Sequence, residues 1–88
     1  MIKGKTESGF SYSVSEAALD DWELLEDLIR MDGGDVIAIG RVLDRLLGEK
    51  QKAKLKEHLR GENGRVSATA IINEVTEIFK GVKKGKNS

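Results

Sequence analysis

Residues 16–31, EAALDDWELLEDLIRM, are the stretch that decides the expected fold. Ser15 is a favourable N-cap for a helix here, and the acidic residues that follow it suit the positive end of a helix dipole. The apolar side chains recur three or four positions apart, which places them along one side of an α-helix: Ala18, Trp22, Leu25 and Ile29. We therefore predict a first helix over residues 16–31.

The same helical period returns three more times along the chain. Residues 35–47 and the more polar residues 49–60 are separated by Gly48, a residue type that commonly ends helices. The last helical pattern covers residues 67–82, with Ser67 as its N-cap. Four helices with short connections predict an all-α fold, a small four-helix bundle with a short extended N-terminal segment.

The extended segment is the alternation of Phe10, Tyr12 and Val14 with serines, a pattern typical of a half-buried β-strand. The sequence before it is polar apart from its first two residues, so we expect no partner strand within the chain. The segment should then be disordered in the monomer or ordered by another chain, including a second copy. We predict a flexible N-terminus over residues 1–9, a helical domain over residues 10–82 and a flexible basic tail over residues 83–88.

Residue types that carry out chemistry are sparse. The chain has no cysteine and a single histidine, His58, so a disulfide or a thiolate zinc site is excluded. Nothing in the sequence suggests a Ser/His/acid arrangement around His58. The acidic residues between positions 20 and 27 lie opposite the apolar stripe of the first helix, where carboxylates normally meet water. We expect no enzyme activity, no cofactor and no metal site.

The location of the protein follows from the absence of long apolar runs. The first nine residues lack the apolar stretch of a signal peptide. No segment approaches the ~18 continuous apolar residues that a membrane span requires. We therefore expect a cytoplasmic protein without a membrane partner.

Charge is divided unevenly between the two halves of the chain. Residues 1–49 carry five Lys or Arg and eleven Asp or Glu, a net charge of −6, whereas residues 50–88 carry ten and four, a net charge of +6. The opposite charges can pair within the fold, or they can steer a charged partner. The overall charge of zero argues against nucleic acid as a partner. A small DNA-binding regulator of phage or bacterial origin is the alternative interpretation of the basic half.

Five stretches of the sequence carry a resemblance to a known family. Most of them belong to the predicted helices: ALDDWELLE (18–26), LLGEKQ (46–51), LKEHLR (55–60), GRVS (64–67) and NEVTEIF (73–79). On these residues the chain resembles the small tail assembly chaperones of long-tailed phages and prophages of Gram-positive bacteria. Members of that family keep the long tape measure protein soluble while the major tail protein polymerises around it.

The resemblance implies an all-α protein without enzyme activity, whose partners are these phage tail proteins in the host cell cytoplasm. It carries over no residue-level binding site. From the residues alone, we predict that the partner is bound through the extended segment and the tryptophan, because aromatic side chains dominate contact energies: Phe10, Tyr12, Val14 and Trp22. Trp22 has a second interpretation as part of the core, which its place in the apolar stripe favours.

Overall fold

The computed structural model describes residues 1–87, with side chains for residues 1–84. This part of the chain contains a two-stranded antiparallel sheet, a 3-10 helix and three α-helices. Their bounds are β1 Ile2–Lys5, β2 Ser11–Val14, the 3-10 helix Glu16–Asp20, α1 Trp22–Asp32, α2 Val36–Leu59 and α3 Ala68–Asn87. The predicted all-α four-helix bundle is therefore wrong, because the fold is a small mixed α/β structure.

The extended segment has the partner strand that the sequence did not predict. β1 pairs with β2 in a register that sets Gly4 opposite Tyr12 and Ile2 opposite Val14. Residues 6–10 close the hairpin, where Gly9 adopts a φ of 96° that favours glycine. The strand β1 escapes detection because its second inward position is Gly4, which carries no side chain to complete an apolar alternation.

The ring of Tyr12 fills the space that Gly4 leaves empty. A Cβ atom added at Gly4 would overlap the Tyr12 ring and hydroxyl, and one added at Gly81 of α3 would overlap the same hydroxyl. Tyr12 is thus enclosed between the partner strand and α3, and it is buried. Two glycines at these positions allow one aromatic side chain to join the sheet to the last helix.

The first predicted helix is split at Asp21. Ser15 does act as an N-cap, accepting a hydrogen bond from the backbone N–H of Ala17, but it caps the short 3-10 helix. Asp21 then adopts extended backbone angles and caps α1 by accepting from the N–H of Leu24 at 3.1 Å. The stripe predicted across residues 16–31 assumes a continuous helix, so this break changes which side chains of α1 face the core.

The helix α2 contains a break at Gly48, whose φ of 78° and ψ of 168° are not helical. The sequence predicts a break at Gly48, and its backbone angles confirm that α2 consists of two helical segments that meet there. Beyond the break, the Gln51 side chain accepts from the N–H of Ser13 and donates to its carbonyl oxygen, both at 2.7 Å. This amide group therefore satisfies the free edge of β2 where a third strand would lie.

The last helix begins as the sequence predicts. The Ser67 hydroxyl accepts from the N–H of Ala70, which confirms it as the cap, and α3 continues to Asn87. The predicted flexibility of residues 1–9 and 83–88 stays a prediction, and Ser88 lies outside the described residues. No helix among residues 1–87 is long and apolar enough to cross a membrane.

Substitution by alanine should change the free energy of unfolding in opposite directions at two glycines of α2. At Gly40 no atom lies within 4 Å of an added Cβ, so Gly40→Ala should raise the free energy of unfolding by about 1 kcal/mol through helix propensity alone. Gly48→Ala should lower it by about 1–3 kcal/mol, because these backbone angles are strained for any residue with a Cβ. Urea denaturation of both variants measures the difference, and equal effects would contradict the break at Gly48.

Candidate functional site

An apolar groove lies between α1 and α3. Its volume is about 440 Å³ and it is open to solvent. Most of the groove is formed by side chains of α1, and the rest by one turn of α3. The lining residues are Trp22, Leu25, Leu28, Ile29, Met31 and Asp32 of α1 with Thr76, Phe79 and Lys80 of α3.

The orientation of α1 leaves large apolar side chains in the groove and in solvent. Its core side presents Leu24 and Met31, whereas Trp22 and Ile29 are each 67% exposed. Asp21 fixes this orientation from the N-terminal end, because its carboxylate caps α1 and lies 3.3 Å from the guanidinium of Arg45. The hydrogen bond from Leu24 and the charge of Arg45 lower the pKa of Asp21.

An ion pair between buried Asp27 and the partly exposed Arg41 holds the middle of α1 against α2. Asp27 is buried, and its carboxylate accepts from Nε of Arg41 at 3.0 Å. The prediction that all the acidic residues between positions 20 and 27 are solvated is wrong for Asp27. Removal of Arg41 should be costly, because the charge of Asp27 would then stay buried without this partner.

The wall formed by α3 follows the predicted helical period. Ile71, Val75, Ile78 and Val82 are buried on its core side. Phe79 is half-buried and faces the groove, and the ammonium of Lys83 lies 5.9 Å from the centre of its ring. The α3 side of the groove thus combines an aromatic surface with basic side chains.

The four predicted partner-binding residues are divided between the core and the surface. Phe10, Tyr12 and Val14 are buried, and each belongs to the core cluster. Trp22 is exposed in the groove, so its interpretation as a core residue is wrong. The structure therefore leaves Trp22 as the member of this set whose side chain can meet a partner without unfolding.

The sequence analysis missed most of the groove. Leu25 and Ile29 were placed in the core with Trp22, while Phe79 and Lys80 lie too far along the chain to be connected with them. The sequence feature that indicates the groove is an excess of apolar residues in α1. Residues 22–31 carry more of them than one core-facing side of a helix can bury.

A second cluster ties the hairpin tip to α2 and α3. The Ser8 hydroxyl donates to Oε1 of Glu74 at 2.5 Å, and Nε2 of His58 lies 3.0 Å from the Ser8 carbonyl oxygen. Glu74 is buried, and within the described chain its Oε2 has no hydrogen-bond partner. The backbone N–H of Glu7 also donates to Glu77 at 2.7 Å.

The Ser8, His58 and Glu74 side chains do not form a catalytic relay. A carbonyl oxygen can only accept, so Nε2 of His58 must carry the proton that it shares with Ser8. The same nitrogen then cannot take a proton from the Ser8 hydroxyl, which already donates to Glu74. The cluster fits a structural role in holding the hairpin. Within residues 1–87 no group of three or more His, Cys, Asp or Glu side chains could hold a metal ion.

The opposite charges of the two halves pair only to a small extent within the described chain. Five of the six ion pairs there join residues of the same half, and Lys52–Asp44 joins the two halves. Charges of both signs thus remain available at the surface.

Comparison of the chain with models of protein families, with curated proteins and with solved structures gives no match.

The hydrogen bond from Ser8 to Glu74, the tether of the hairpin tip to α3, predicts an effect of Ser8 on stability. Ser8→Ala should lower the free energy of unfolding by about 1–3 kcal/mol, because the buried Glu74 carboxylate loses its donor. Ser11→Ala, the same change at an exposed position of β2, is the matched control and should be near neutral. Chemical denaturation compares the two. Adding Glu74→Met to Ser8→Ala should restore stability, and a failure of both expectations would contradict the tether.

Proposed function

We propose that this protein is a non-enzymatic protein-binding module, a phage tail assembly chaperone that binds the tape measure protein in the host cell cytoplasm. The observation that carries the proposal is the open groove with Trp22 and Ile29 exposed in it. The resemblance of five sequence stretches to tail assembly chaperones supports the choice of partner.

The apolar content of the groove favours binding to protein. Two large apolar side chains, each two-thirds exposed in a groove, are typical of interaction sites. Tryptophan is also among the residues that most often dominate binding energy at interfaces. Removing Trp22 and Ile29 from water on binding a partner would stabilise the complex in proportion to the area buried.

The shape of the groove favours a helical client. Along α1 it extends from Trp22 to Asp32, which at ~1.5 Å per residue is about 15 Å, or three helical turns. An amphipathic helix that lies in such a groove presents apolar side chains at helical spacing to its floor. A helix-rich client that is insoluble by itself is protected when its apolar stripe is covered in this way.

Substitution of Trp22 tests the binding surface. Trp22→Ala should weaken binding of the tape measure protein by about tenfold or more, because it removes the largest exposed apolar side chain of the groove. Ile37→Ala is the control, since Ile37 is 73% exposed on α2 and does not line the groove. Pull-down and calorimetry with the tape measure protein encoded in the same tail gene cluster measure both.

Co-expression gives a second readout of the same proposal. The wild-type chain should raise the soluble fraction of the tape measure protein, and Trp22→Ala should not. Trp22 is the only tryptophan, so its fluorescence should shift to shorter wavelength when the client covers it. If solubility is unchanged and no complex forms on size exclusion, the assignment fails. Retention of the chain by duplex DNA would instead favour the DNA-binding alternative.

A further inference from the structure

The two walls of the groove carry charges of opposite sign. The α1 wall ends in Asp32, which is exposed and is the acidic residue that lines the groove. The other charged side chains of α1 pair outside the groove lining, Glu26 with Arg30 and Glu23 with Arg45. The α3 wall contributes Lys80, and the ammonium of Lys83 lies over the ring of Phe79, which lines the same wall. A helix that lies between the walls therefore meets the carboxylate of Asp32 on one flank and the ammonium of Lys80 on the other.

Asp32 is unfavourable for the helix that carries it. It is the last residue of α1, where the partial negative charge of the helix C-terminus repels a carboxylate. No cation of the described chain forms an ion pair with it. The fold thus contains an exposed carboxylate at the end of an apolar groove that it does not use for its own stability.

Lys80 is the corresponding charge without an ion-pair partner on the α3 wall. It lines the groove, and within the described residues it forms no ion pair. Two exposed charges of opposite sign, each without an internal partner, are therefore placed on facing walls. An occupant of uniform charge would be attracted by one wall and repelled by the other.

We propose that the occupant of this groove is one amphipathic α-helix with an apolar stripe of about three turns, flanked by Lys or Arg on one side and by Asp or Glu on the other. This inference rests on the proposed function and names the chemistry of the client segment. The basic flank lies against Asp32 and the α1 wall. The acidic flank lies against Lys80 and the α3 wall.

Two synthetic peptides of about 18 residues, each without tryptophan, test this inference. The polarised peptide has a leucine stripe with lysines on one flank and glutamates on the other. The mixed peptide has the same composition and stripe, with lysine and glutamate shared equally between the flanks. Titration into the wild-type chain, followed by Trp22 fluorescence, should show about three- to tenfold tighter binding of the polarised peptide at low salt. The preference should vanish near ~1 M salt, where the Debye length is about 3 Å.

Charge-reversing substitutions in the protein test whether charge, rather than apolar packing, causes the preference for the polarised peptide. Asp32→Lys and Lys80→Asp should each remove the preference, because both walls then carry the same sign at the contact. The double variant should restore it, because the peptide can lie in the groove in the opposite direction. Glu62→Lys makes the same charge change at an exposed residue outside the groove and should leave the preference unaltered.

The outcomes distinguish this inference from the proposed function. Equal binding of both peptides, with Trp22→Ala still abolishing binding, would overturn the charge pattern and leave the apolar groove as the binding site. Failure of the peptides while the tape measure protein binds would also overturn it. If neither the peptides nor the tape measure protein bind, the proposed function itself fails. A dimer of the chain alone that Trp22→Ala dissociates would instead assign the groove to a second copy.

Discussion

The enclosure of Tyr12 between two glycines is the constraint on which the rest of this structure depends. The ring can lie there only because neither Gly4 nor Gly81 carries a Cβ. It thereby fixes the hairpin to α3, and the hydrogen bonds of Ser8 and Glu7 fix the hairpin tip to the same helix. The position of α3 thus depends in part on contacts with a sheet of only two strands, which by itself would be marginally stable.

The groove is a consequence of how two helices are held by different elements. α3 packs against the hairpin as well as α2, whereas α1 packs mainly against α2, where Asp27 accepts from Nε of Arg41. Since α1 turns Leu24 and Met31 inward, Trp22 and Ile29 line the groove beside α3 and stay largely exposed. In a chain of this size each exposed apolar side chain is a sizeable fraction of the small net stability. The proposed binding of a partner would cover Trp22 and Ile29 and so give their exposure a role.

The charged side chains of the groove, like its exposed apolar side chains, contribute little to folding. Most ion pairs of the described chain join residues of the same half and hold neighbouring elements together. The groove charges Asp32 and Lys80 are outside this network, so their contribution to folding is small. If the proposed binding site is correct, the apolar floor contributes affinity and the free charges contribute specificity.

The sequence alone determined the features that depend on near neighbours along the chain. The period of residues 71–82 gave the core side of α3, Ser67 gave its cap, and Gly48 gave the break in α2, because each is a local backbone or helix property. The alternation of Phe10, Tyr12 and Val14 likewise gave β2.

Only the tertiary structure decided the features that depend on distant contacts. The sequence did not predict β1, because the space at its inward position Gly4 is filled by the side chain of Tyr12 from the partner strand. The break at Asp21 changed the direction in which Trp22 points, and a helical period cannot show where a helix is interrupted. The burial of Asp27 and the groove between α1 and α3 required the positions of residues far apart in sequence. Periodicity shows which residues share a side of a helix, but packing decides which of those sides is covered.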